Sequence, residues 1–237
     1  MTKKLYYTEP KKLIAKSNWQ SDKEPKQIIL ETSPAYPEGG GQIGDSGTVE
    51  QNGKMIKFLD TKKIGTGRKI SRDDFPAITV GQNVALILEQ EVPSEWDPQE
   101  PVIVSVDANK RHSLSRSHTA AHLLWLALGD SYGDLYSKVR GCHIVETRGR
   151  FDLLIKKPTN DELREIEAII QKWVLADHAI EVVTLPDEPE CRIWRSAGED
   201  IPCGGTHLES TKGVGSLHLK AKNKGKSGIR VIYELID

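Results

Sequence analysis

The chain has 237 residues, of which 37% are hydrophobic and 28% charged, so it can bury a substantial core and reads as globular, not disordered. Lys plus Arg number 33 against 34 Asp plus Glu, a formal net charge of -1, which excludes a uniformly basic nucleic-acid coat and leaves only a local patch for any polyanion. No apolar run approaches the roughly 20 residues of a bilayer span, no apolar signal core opens the chain, and three cysteines argue against a disulfide framework, so a cytoplasmic protein without membrane contact is expected.

The first hundred residues read as β. Short β-prone runs fall at Gln27–Glu31, Thr48–Glu50, Met55–Leu59 and Val84–Leu88, with Asn52-Gly53 as a hairpin turn between two of them. Gly65, Gly67 and Gly81 punctuate the rest, and the pattern suggests a small barrel or curled sheet. The three prolines between Val92 and Pro101 suggest a linker, which sets the expected domains at 1–100 and 101–237. Val102–Val106 reads as a buried strand, and Asp107 as the cap of a helix running to about Leu128 with Gly129 as its stop. Thr159 and Glu162 form a capping box for a second helix, in which Leu163, Ile166, Ile170, Trp173 and Val174 recur at helical spacing. Strands follow at Ile180–Leu185, Cys191–Trp194, Ser216–Leu219 and Ile229–Leu235, so the second half is expected to be an α+β domain of two layers.

The helix expected after Asp107 carries His118 and His122, an i, i+4 pair whose imidazoles can reach one ion. Downstream, Cys203-Gly204-Gly205-Thr206-His207 offers a thiolate and an imidazole across a Gly-Gly turn. His118, His122, Cys203 and His207 together suit Zn2+, one per chain, better than Mg2+ or Ca2+. A metallopeptidase would need Glu after the first His as general base, and that position is Thr119. His178 ends a helix, His218 alternates along a strand, and His112 either supports the ligands from behind or lies on the surface.

Three blocks resemble the freestanding alanyl-tRNA editing proteins (the middle-sized class of the AlaX family) and the editing domain of alanyl-tRNA synthetase. They are the glycine-rich block Tyr36 to Gly47, with Gly39, Gly40, Gly41, Gln42 and Asp45, then His118 to Leu124, and then Pro202 to Leu208. The resemblance covers nearly the whole chain. It implies an N-terminal β-barrel-like domain, a zinc-binding editing domain, and hydrolysis of the ester of Ser- or Gly-charged alanine tRNA, with mischarged tRNA as partner and no obligate protein partner. Nothing in the chain resembles the adenylation domain that charges tRNA.

The resemblance also assigns a substrate pocket to Ala121, Gly141, Cys142 and Thr206. The family commonly has Thr where Ala121 stands and often Ser where Cys142 stands, so two hydroxyls that would bond a seryl side chain are replaced. Cys142 either packs in an apolar wall or places its thiol near the metal. Four protein ligands usually close a zinc site, so three firm ligands with one sharing its position with water or substrate is the expectation for a catalytic site. No residue stands out as the catalytic base; Glu199 and Asp200 are either candidates or solvated loop charges.

For RNA, Lys222, Lys224 and Lys226 sit on an expected basic hairpin tip, within a stretch that also holds Lys212, Lys220 and Arg230 against Glu234 and Asp237. Lys110, Arg111 and Arg116 flank the His helix. These cations either line a phosphate-binding mouth or are ordinary solvated side chains. Two alternatives to a deacylase remain open at this point: a non-catalytic zinc-stabilised tRNA-binding module, and a metallohydrolase for another aminoacyl ester.

Overall fold

The computed structural model describes residues 1–72 and 75–236, with the backbone alone at Ser227. Asp237, weighed above against the basic C-terminal stretch, lies outside the described residues. The chain divides into two compact units: residues 1–39, 43–111 and 185–191 form the first, and residues 40–42, 112–184 and those from Arg192 onward form the second. No helix among the described residues is long and apolar enough to cross a membrane.

The first unit is built on a seven-stranded antiparallel sheet in the order Ile14–Ser17, Val102–Val106, Gly47–Gln51, Lys54–Ile64, Asn83–Leu88, Gln27–Leu30, Trp19–Ser21. Its two edge strands are consecutive in the chain, separated only by Asn18, so the sheet curls back into a nearly closed, barrel-like form. Alternation drives the closure: Val102, Val104 and Val106 are buried while Ile103 between them is exposed. The Asn52-Gly53 turn is as expected, with both residues at positive φ (51° and 79°), the requirement of a tight hairpin that follows the strand twist.

Two expectations about this half are corrected. The stretch 92–101 is no linker. Trp96 is buried edge-on against Trp19, and the Gln51 side chain donates to the carbonyls of Asp97 and Glu100. Val102–Val106 is a strand, but it pairs with Ile14–Ser17 and Gly47–Gln51 in the sheet of the first unit. The prolines mark turns, and the apolar side chains among them still find the core.

The second unit has a four-stranded antiparallel sheet in the order Val139–Val145, Arg148–Leu153, Ile229–Ile236, Ser216–Asn223. Leu123, Leu124 and Leu128 from one helix and Ile166, Ile170 and Val174 from another share a core with Phe151, Leu153, Val231 and Tyr233 from the sheet. The helix Asn160–Ala176 starts at the expected capping box, in which Thr159 Oγ1 accepts from Glu162 N and Glu162 Oε2 accepts from Thr159 N. The helix Ala108–Tyr132 is capped as expected, since Asp107 Oδ1 accepts from Asn109 N and Lys110 N. It does not stop at Gly129. It runs one turn further, to Gly133 at φ 70°, whose N–H bonds the Gly129 carbonyl. A helical glycine costs only about 1 kcal/mol against alanine, so buried Leu128 and Leu135 on either side outweigh it.

Candidate metal centre

Two segments of the second unit bring four donors together. On the helix Ala108–Tyr132, His118 and His122 lie one turn apart, with ring centroids at 5.0 Å. After the strand Glu199–Pro202 the chain turns through Gly204 and Gly205, returning Cys203 and His207 to the same point. One ligand atom from each of His118, His122, Cys203 and His207 lies within 4.8 Å of the others, so the group could hold a metal ion. Cys203 Sγ is 3.4 Å from both His118 Nε2 and His207 Nε2, and the Gly205 N–H donates to the sulfur at 3.3 Å.

The second glycine of that turn is needed for space. A Cβ on Gly205 would lie 2.1 Å from His118 Cε1. The imidazole itself is held from behind by Gln42, which is fully buried. Gln42 Oε1 accepts from Thr206 N at 3.1 Å, and Gln42 Nε2 donates to Thr206 Oγ1 at 3.0 Å, which together fix the amide orientation. The same oxygen lies 2.6 Å from His118 Nδ1, so that nitrogen carries the proton and Nε2 keeps its lone pair toward Cys203.

Thr119 does for His207 what Gln42 does for His118. Its Oγ1 donates to the Ser115 carbonyl at 2.9 Å and accepts from Leu208 N at 3.1 Å, tying the His207 loop to the helix. His207 Nδ1 is 3.4 Å from that oxygen, whose own proton is already committed, so Nδ1 is the donor and Nε2 again faces the sulfur. His122 packs edge-on against buried Trp194 at 4.8 Å, and its buried Nδ1 meets no hydrogen-bond partner among the described residues.

Burial sets the charge state. It pushes His118 down to about 3, and it holds His122 and His207 well below the usual imidazole range, helped by the neighbouring histidines. The imidazoles are therefore neutral, as metal ligands must be. Burial pushes the Cys203 thiol up to about 11, and a bound cation would reverse that by stabilising the thiolate. A borderline-soft donor set, lone pairs turned inward and an unpartnered buried nitrogen fit a divalent metal ion.

The other expected site residues are only partly brought together with these four. Thr206 bonds Gln42, and Ala121 is buried in the core beside His122. Cys142 packs against the same core, and a Cβ on Gly41 would sit 2.8 Å from its sulfur. It is not among the four converging donors, and its thiol is pushed up to about 12, first by burial and then by Cys203. Gly141 departs from the expected pocket: it pairs with Asp152 while Cys142 pairs with Phe151, so the two face opposite sides of the sheet. Gly40 and Gly41 have positive φ (62° and 89°) and carry the chain into a bridge between Gln42 and Ile144. Gly39 instead lies in the first unit, where its carbonyl accepts from Tyr36 Oη at 3.0 Å. Asp200 is exposed and bonded to Arg195 by two 2.7 Å contacts, while Glu199 is an exposed neighbour on the same strand. His112 is exposed on its helix and His218 pairs with Glu167.

Of the expected RNA cations, Arg111 is a correction. It is buried in the first unit, where it forms an ion pair with Asp45 and donates to the Pro34 carbonyl at 2.8 Å. Asp45 also accepts from Tyr36 N at 2.6 Å, so both charges serve the fold. Arg116 donates to the carbonyls of Val214 and Ile236, each at 2.9 Å. Lys110 is half-buried, Lys222 and Lys226 are exposed, and Lys224 pairs with Asp152 at 2.9 Å. The roles of Gln42, Thr119 and Trp194 were not read from the sequence. A signal existed for the first two, since each sits inside a motif block at a position that is neither glycine nor ligand.

Comparison with known proteins agrees with these blocks. Residues 5–92 match the family described as tRNA synthetases class II (A). An alanine–tRNA ligase of Ignicoccus hospitalis is 29% identical over 222 residues, covering 85% of this chain and 22% of that protein. Those of Dechloromonas aromatica and Cytophaga hutchinsonii are each 28% identical, over 86% and 90% of this chain and 23% and 24% of theirs. The chain thus spans about a quarter of the length of these relatives, and the similarity runs through both units, which bears out the family resemblance read from the sequence.

Proposed function

We propose that the protein is a zinc-dependent deacylase that hydrolyses the ester of mischarged alanine tRNA, with the second unit as its zinc-binding editing domain. The observation that carries this reading is the convergence of His118, His122, Cys203 and His207 in a chain similar to alanine–tRNA ligases over most of its length. Zinc bonds of about 2.0–2.1 Å to nitrogen and 2.3 Å to sulfur imply a tetrahedral N···S edge of about 3.5–3.6 Å. The two 3.4 Å contacts of Cys203 support that ion. When bound it would supply Lewis acidity toward an ester carbonyl or water.

The chain's own residues orient and select. Gln42 and Thr119 hold two imidazoles in one tautomer, which lowers the reorganisation needed at the site. Ala121 and Cys142 present no hydroxyl toward a seryl side chain, so a preference for Ser over Gly is expected to be weak, by about 0.5–1.5 kcal/mol for each missing hydrogen bond.

The complete set of four protein donors favours a second reading, a tRNA-binding module in which zinc serves only the fold. Release of Ser, Gly and Ala from charged alanine tRNA by the zinc-loaded protein separates the two. Rapid release of Ser or Gly with Ala spared, lost in Cys203→Ser with the fold retained, supports the deacylase. No release above buffer, with unfolding of the same variant, supports the binding module.

A further inference from the structure

One face of the four-stranded sheet carries an unusual concentration of charge. The register aligns Arg150 with Ile232 and Lys220, Asp152 with Arg230 and Lys222, and Arg148 with Glu234. Alternation sends Phe151, Val231, Tyr233 and Leu219 to the core, and sends these charged residues outward. Together they line a groove of about 330 Å3 in which Arg148, Arg150, Lys220, Lys222 and Arg230 face a single lining carboxylate, Glu234. Lys220 pairs with Glu234 at 2.6 Å, while neither Lys222 nor Arg148 has an ion pair or hydrogen bond from its side chain among the described residues.

Asp152 organises the cluster. It is buried under the groove, and accepts from Arg230 at 2.7 and 3.0 Å, from Arg150 at 2.5 Å and from Lys224 at 2.9 Å. One carboxylate thus aims three cations and leaves two positive charges over. Lys222 stands directly across from Arg230, a like-charge pair that destabilises a sheet. In a chain with a net charge of -1, such a face is costly unless a polyanion covers it.

We propose that this sheet face is the track along which the phosphates of the tRNA backbone lie, an inference that rests on the reading of the protein as a tRNA-acting one. Alternate residues of a strand lie about 7 Å apart and neighbouring strands about 4.8 Å apart, so the cations form a field for several phosphates and not a cradle for one. The groove includes none of the exposed large apolar side chains that an anionic membrane surface would take up. The geometry removes Arg111 and Arg116, which serve the fold, from the expected RNA cations, keeps Lys220, Lys222 and Arg230, and adds Arg148 and Arg150.

The test is the salt dependence of binding of uncharged, fluorescently labelled alanine tRNA by the full chain. Parent is compared with Arg148→Ala/Lys220→Ala/Lys222→Ala, with the single variant Lys222→Glu, and with Lys16→Ala/Lys23→Ala in the first unit as control. Each phosphate contact contributes about 0.7–0.9 to the slope of log affinity against log salt. The triple variant is expected to lose about 2 from the slope magnitude and about 10- to 100-fold in affinity at low salt, with the control unchanged. Lys222→Glu guards against misfolding of the triple variant and is expected to move in the same direction. Parental slope and affinity in both groove variants, or loss equal to that of the control pair, would overturn the track. So would loss of binding to phosphatidylserine vesicles with tRNA binding intact. Because the tRNA is uncharged, failure of the deacylase reading leaves this result standing, and active deacylation with an unmoved slope removes the track alone.

Discussion

Replacing Gln42 with Leu tests whether the metal centre depends on its buried amide. The substitution keeps the volume and removes three contacts: the acceptor for His118 Nδ1–H at 2.6 Å, the acceptor for Thr206 N–H at 3.1 Å, and the donor to Thr206 Oγ1 at 3.0 Å. Two donors then lose their partner in a site that water enters poorly, at about 1–3 kcal/mol each, so the metal-free protein is expected to lose about 2–6 kcal/mol. His118 would also be free to exchange tautomers and to turn its protonated nitrogen toward Cys203. Loss of a partner behind a metal-bound imidazole typically weakens metal affinity about 10- to 100-fold, or about 1.4–2.7 kcal/mol. Competition with a fluorescent zinc chelator measures the affinity, and urea unfolding of the metal-free protein measures the stability. Gln42→Glu keeps an acceptor for His118 and is expected to restore most of the affinity. Parental zinc affinity in Gln42→Leu would refute the tautomer argument, whatever the stability did.

Metal affinity should rise by about one log unit per pH unit between about pH 5 and pH 8, because only the Cys203 thiol, pushed up to about 11, releases a proton on binding. A slope rising toward four below about pH 6 in a chelator titration would show instead that the three histidines are protonated in the metal-free fold. The same neutral imidazoles bind fewer protons folded than unfolded, so metal-free stability should fall on acidification below about pH 6.5 by up to about 1.4 kcal/mol per pH unit for each. Arg111→Met strands the buried Asp45 carboxylate and should cost about 3–5 kcal/mol in urea unfolding while leaving tRNA affinity unchanged; Asp45→Asn in the same chain should recover part of it. Gly205→Ala puts a methyl 2.1 Å from His118 Cε1, so zinc binding should drop about as far as in Gln42→Leu, read by the same competition.

Local chemistry was legible where one residue type meets one need. The Thr159/Glu162 box, the Asn52-Gly53 turn and the Asp107 cap each occupy the expected place, and His118, His122, Cys203 and His207 come together as a group that could hold a metal ion. Long-range pairing was not. Val102–Val106 reads as a buried strand in either half of the chain, and only the sheet it joins decides between them. Arg111 looks like any cation beside a phosphate site until Asp45, 66 positions earlier, is seen to neutralise it. Half of the cationic sheet face, Lys220, Lys222 and Arg230, is legible as a basic C-terminal stretch, but Arg148 and Arg150 lie far from it in sequence and only the register adds them.

The tie between Gln42 and His118 has a consequence for how such proteins can be shortened. Residues 40–42 cluster with the second unit, although about seventy residues separate them from its main body in sequence. A fragment cut at residue 101 would retain all four donors and still carry, in effect, the lesion of Gln42→Leu. The minimal autonomous metal-binding piece is therefore discontinuous. A peptide bearing Gly40, Gly41 and Gln42, added in trans, should complement such a fragment, and a genetic truncation that spares the donors while deleting that peptide should behave as a loss-of-metal allele.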